Sequence, residues 1–203
     1  MLRTLLTVPV LAPVLALIPV LPSGAQETAV PPKPDLPALI ECRGQRPEFM
    51  ALAPALETPL TAVAMGWQPL PQTNMFMTEF RLVAPIRVFG HDTDHIAFAG
   101  ESVIAVLDLP DPRPLARQLD LETAIDTPAK AMFGKELVSN EVHDAVSGST
   151  MIESVVLNVS NVSSHPGKTL VGCSYSLDLP EEEVPEQDPP APADASPPAR
   201  DAR

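Results

Sequence analysis

Residues 76–88 read FMTEFRLVAPIRV, and the fold class turns on them. Their even positions are Phe76, Thr78, Phe80, Leu82, Ala84, Ile86 and Val88, while the odd positions include Glu79, Arg81 and Arg87. A period of two over this length predicts a β-strand with one buried and one wet face. Pro85 cannot donate to a ladder, so it places the late part of the strand at a sheet edge or in a bulge.

Working outward, residues 95–107 carry Ile96 and Phe98 in one phase, then Val103, Ala105 and Leu107 in the other after Gly100 and Glu101. That phase switch around a glycine predicts a bulge within one strand. Residues 151–162 and 169–177 predict two more strands, the latter aligning Thr169, Val171, Cys173, Tyr175 and Leu177. The Pro166-Gly167 step between them predicts a hairpin. Residues 135–142 predict a further strand, and residues 38–43 alternate weakly, with Ile40 and Cys42 in phase. Helical signals are fewer. Residues 111–119 begin with a capping Asp111 and Pro112, and Leu115 and Leu119 share a face. Residues 47–56 form a second short candidate interrupted by Pro54, and residues 127–133 suggest one more turn. No internal repeat is found. The pattern predicts an α+β fold, mainly an antiparallel β-sheet with one or two short helices, as a single domain.

Cys42 and Cys173 are the only cysteines and bracket that domain. An isolated pair in an exported chain is expected to form a disulfide. Export is expected because Arg3 precedes an apolar run from Leu5 to Leu21, followed by Ser23 and Ala25 in small-residue cleavage positions. Pro9, Pro13 and Pro19 interrupt that run, which argues against a membrane anchor. The expected organisation is a signal peptide over 1–25, a proline-rich linker over 26–37, the α+β domain over 38–178 and an acidic, proline-rich, disordered tail over 179–203. The tail holds seven carboxylates against two arginines and few apolar side chains, too little to offset the entropy of ordering it. The expected location is periplasmic or extracellular, with no membrane insertion once the signal peptide is removed.

A formal charge of −13 without any run of Lys or Arg excludes nucleic acid as a partner. The densest polar stretch is His91-Asp92-Thr93-Asp94-His95. Read as a hairpin loop, Asp92-Thr93-Asp94 would turn the chain and set His91 and His95 on opposing strands. Cross-strand neighbours lie about 5 Å apart at Cβ, within reach of one shared ion. His91, His95, Asp92 and Asp94 are therefore the candidate zinc or copper ligands, with His143 beside Asp144, or His165, as further donors. Neither a four-ligand zinc spacing nor His-Glu-x-x-His occurs, and the plain turn is the competing reading.

No catalytic residue is nominated. Ser147-Gly148-Ser149 lacks the nucleophile-elbow pattern, oxidised cysteines offer no thiolate, and Glu136 with Glu141 has no special spacing. Asn158 and Asn161 match the glycosylation pattern, which matters only in a eukaryotic secretory pathway. Trp67 and the run Asn74-Met75-Phe76-Met77 are expected in the core. The sequence thus points to an exported, soluble, non-enzymatic binding domain without a cofactor, its partner an unknown protein or small ligand. Metal binding is the alternative, and a small hydrolase without an identified nucleophile the third reading.

Overall fold

The computed structural model describes residues 34–143 and 148–180. The expected signal peptide, most of the linker, the acidic tail from residue 181 and Asp144 lie outside the described residues.

Among the described residues eight strands form one antiparallel sheet: β1 (Trp67–Pro69), β2 (Thr78–Val88), β3 (His91–Ala99), β4 (Ser102–Leu107), β5 (Glu122–Asp126), β6 (Ala131–His143), β7 (Thr150–Ser160) and β8 (Thr169–Asp178). Their spatial order is β1-β2-β3-β4-β8-β7-β6-β5. Two meanders of four strands, β1–β4 and β5–β8, therefore meet where β4 pairs with β8, from Ser102 opposite Ser174 to Leu107 opposite Thr169. The connection between the meanders carries helix α5 (Arg113–Gln118). Both edge strands are short, which limits the unpaired backbone a second chain could add to.

The alternation in residues 76–88 produces β2 as expected, with Phe80, Leu82 and Val88 buried. Pro85 lies beyond the end of β1, where the β2–β3 register shifts between Arg81 and Ile86. Both readings of that proline therefore hold. Gly100, by contrast, marks no bulge. It opens a two-residue turn at φ +55, because Ala99 pairs with Ser102 and residues 95–107 span two strands.

Helices cover one face of the sheet. α1 (Leu36–Ile40), α2 (Arg46–Met50), α3 (Ala53–Glu57) and α4 (Pro59–Ala64) are all five or six residues long. Residues 38–43 are thus not a strand. Asp35 accepts a hydrogen bond from the Ala38 amide and caps α1, and Leu36, Leu39 and Ile40 recur at helical spacing and are buried. The helix begins inside the stretch read as linker. Residues 127–133 form no helical turn either. Thr127 and Lys130 exchange hydrogen bonds across a tight turn, and β6 starts at Ala131. α5 starts one residue later than expected, with Pro112 rather than Asp111 at the N-cap, although the Asp111 carboxylate does accept from the Arg113 amide.

The main core joins Leu36, Leu39, Phe49 and Leu52 of the helices to Phe80, Ile96, Phe98, Val103, Val171, Cys173 and Tyr175 of the sheet. Trp67 is buried there and stacks near Phe98, with ring centroids 5.7 Å apart. Tyr175 donates to the Leu39 carbonyl at 2.8 Å and stacks on Phe49. Burial, together with the nearby Glu48 carboxylate, pushes the Tyr175 phenol up to about 12, so it stays a donor. Gly172 is required by close approach, since a Cβ there would lie 2.1 Å from the Val103 carbonyl oxygen. The Met-rich run only partly reaches the core: Met77 is buried, but Met75 and Phe76 are exposed. Among the described residues no helix is long and apolar enough to cross a membrane.

The disulfide forms between Cys42 and Cys173, clamping the end of α1 to β8 across a separation of 131 residues. In the chain-entropy view, closing so long a loop stabilises the fold by about 5 kcal/mol. Replacing both cysteines by serine is expected to lower the unfolding free energy in urea by that order. A loss under about 1 kcal/mol would show that packing of α1 on the sheet is sufficient without it.

Candidate metal centre

Among the described residues no helix lies on the other face of the sheet, and two loops cover part of it. Residues 70–77 precede β2, and residues 161–168 join β7 to β8. Beneath them lies a second apolar cluster of Met77, Ala97, Val106 and Leu170. Alternation puts Glu79 and His95 on this face as diagonal neighbours, since Arg81 pairs with His95 and Glu79 with Ala97. The β7–β8 loop then brings His165 over the same spot.

Glu79 is only 4% exposed. Its Oε2 accepts from His95 Nε2 at 2.8 Å and from His165 Nε2 at 2.9 Å. Its Oε1 accepts from the Thr73 hydroxyl at 2.9 Å. The network continues outward: Ser164 Oγ lies 3.0 Å from His165 Nδ1 and accepts from Asn74 Nδ2 at 3.2 Å, which ties the two loops together. Burial alone would raise the Glu79 carboxyl, but the hydrogen bonds from His165, Thr73 and His95 outweigh it and hold the group below its ordinary value. A buried, ionised carboxylate thus faces two imidazoles.

One donor atom from each of Glu79, His95 and His165 falls within 4.8 Å of the other two. Two imidazole nitrogens and a carboxylate oxygen are a donor set suited to zinc or copper. Ser164 can serve either tautomer of His165. Its hydroxyl donates to Nδ1 when Nε2 carries the proton, and accepts from Nδ1–H when Nε2 is given to a metal.

The candidates nominated from sequence divide. His91 and His95 do not face each other, because the hairpin turn is Phe89-Gly90, both at positive φ, with Val88 paired to His91. Asp92-Thr93-Asp94 is therefore strand, not loop. His91 and His95 lie four residues apart along β3, about 13 Å of strand rise. Asp92 pairs with Arg87 at 3.2 Å and Asp94 with Arg81 at 3.5 Å, all four on exposed positions. Only His95 joins the cluster, together with His165, which was named as a further donor. His143 ends β6, opposite Thr150.

Glu79 was missed, having been assigned to the wet face. Its phase was read correctly, but loops cover that face, and strand periodicity carries no trace of a covering loop. The available sign was an acidic residue flanked by Met77 and Phe80 in a strand otherwise lined with arginines.

Compared with known proteins, the chain matches no family model, no curated protein and no solved structure.

The hydrogen bonds of the cluster make a structural contribution that can be measured. Glu79→Ala leaves the buried His165 Nε2–H without its acceptor, at about 1–3 kcal/mol for a buried group left unpaired. The variant is expected to unfold at clearly lower urea concentration, with Glu79→Gln intermediate. Equal stability of Glu79→Ala and wild type would mean that water satisfies this group.

Proposed function

We propose that this chain is an exported, non-enzymatic metal-binding domain of the periplasm or extracellular space, holding one zinc or copper ion through Glu79, His95 and His165. The observation that carries the reading is one buried carboxylate shared by two imidazole Nε2 atoms, 2.8 and 2.9 Å away. Burying an ionised carboxylate is expensive unless cationic or hydrogen-bonding partners meet it, and a divalent ion meets it most completely. Export is supported by the signal-peptide layout of residues 1–25 and is compatible with the Cys42–Cys173 disulfide. The acidic chain, at −13, favours cations over anionic polymers.

Residues outside the cluster then have separable roles. The Asn74–Ser164 contact positions His165, while the Arg87–Asp92 and Arg81–Asp94 pairs are cross-strand surface contacts. Native mass spectrometry of the full chain titrated with zinc is expected to give one tightly held ion per chain. Glu79→Gln or His165→Gln should weaken binding by about 100-fold or more, since loss of even outer-shell partners costs 10–100-fold. His91→Gln should leave it unchanged. Retention of zinc by both cluster variants, or its loss in His91→Gln, contradicts the assignment. If no zinc or copper binds at all, the cluster is only a hydrogen-bonded clamp between the two loops.

A further inference from the structure

We infer that Thr73 is a positioning residue of the metal centre: its hydroxyl holds Glu79 Oε1, so that the carboxylate gives the ion Oε2 alone. The inference rests on the metal reading above and concerns how the one acidic ligand is held.

The two oxygens of Glu79 have separate partners. Oε2 accepts from both imidazoles, whereas Oε1 accepts from the Thr73 hydroxyl at 2.9 Å. An imidazole nitrogen binds a metal through its lone pair, so each Nε2 has to give up its proton first. Both hydrogen bonds to Oε2 are lost in that step. Of the three bonds to this carboxylate among the described residues, the one from Thr73 is the one that metal binding leaves in place.

The surviving bond has a definite task. The last torsion of a glutamate side chain is broad, so partners rather than rotamer preference set the plane of the carboxylate. With both imidazoles committed to the ion, the Thr73 hydroxyl keeps Oε1 turned away and Oε2 turned toward it. An oxygen already accepting a hydrogen bond is also a poorer second donor to the same ion. Carboxylate ligands are commonly held by outer partners of this kind.

The chain delivers Thr73 locally. It precedes Glu79 by six residues, in the turn of the β1–β2 hairpin. The Leu70 amide donates to the Glu79 carbonyl at 2.9 Å and extends the β1–β2 pairing, while the Met77 amide donates to the Asn74 carbonyl at 3.0 Å and closes the loop before β2. Thr73 itself is exposed, so a valine of the same shape fits in its place without disturbing the core.

The test measures zinc affinity of the full chain by competition with a chromophoric chelator, in wild type, Thr73→Val and Thr73→Ser. It also records the visible d–d spectrum of each protein loaded with cobalt(II), which reports coordination number. Thr73→Val is expected to weaken zinc binding about 10-fold, the lower end of the cost of losing an outer partner, with Thr73→Ser close to wild type. Its cobalt spectrum is expected to lose intensity, as Glu79 turns both oxygens to the ion and the coordination number rises. A Thr73→Val protein with the affinity or the cobalt spectrum of wild type would overturn this inference and leave the metal centre standing. Equal losses in Thr73→Val and Thr73→Ser would do the same, because the hydroxyl would not be the cause. Wild type that binds neither ion, or Glu79→Gln that binds both equally well, would overturn the metal centre and this inference with it.

Discussion

The burial of the Glu79 carboxylate constrains everything built on the uncovered face of the sheet. A carboxylate on a side chain only 2% exposed has to be met by donors, and β2 and β3 alone provide only His95. The remaining donors come from two loops distant in sequence, Thr73 before β2 and His165 after β7. The hydrogen bonds to one side chain therefore fix where both loops lie. Asn74 and Ser164 then link the loops directly. Buried polar networks of this kind are stable only when each member is satisfied, and here both carboxylate oxygens have partners.

The opposite face supplies the rigidity this arrangement needs. Two meanders meeting at β4 and β8 place the most buried strands at the middle of the sheet, under α1 and α2. The Cys42–Cys173 bridge and the Tyr175–Leu39 hydrogen bond both tie α1 to β8. β4 and β8 also carry Val106 and Leu170 on the far side, beneath the loops that hold His165. A packed core on one face thus supports a polar centre on the other, with the donors mounted on strands and on a loop anchored at both ends.

Period-two alternation made the sheet legible, because one face of β2, β4 and β8 packs against apolar helices and β-strand side chains alternate. The cysteine pairing was legible from the presence of just two cysteines in the sequence and from the expectation of export. The small helices were harder to read, since each spans a turn or so and residues 38–43 alternate by accident; Asp35 and the Leu36, Leu39, Ile40 spacing were the better guides. The polar stretch 91–95 misled for a specific reason. Aspartates favour turns, but Phe89-Gly90 made the turn instead, with a phenylalanine at φ 47. The residues were then shifted onto a strand, and His91 parted from His95. Glu79 and His165 are separated by 86 positions, so no local spacing could pair them.

A crystal of the full chain grown with zinc, with anomalous scattering recorded across the zinc edge, tests the central claim most directly. One strong peak is expected about 2.0–2.2 Å from Glu79, His95 Nε2 and His165 Nε2. A peak at His91 and Asp92, or a Glu79 still bonded to two metal-free histidines in saturating zinc, would contradict it.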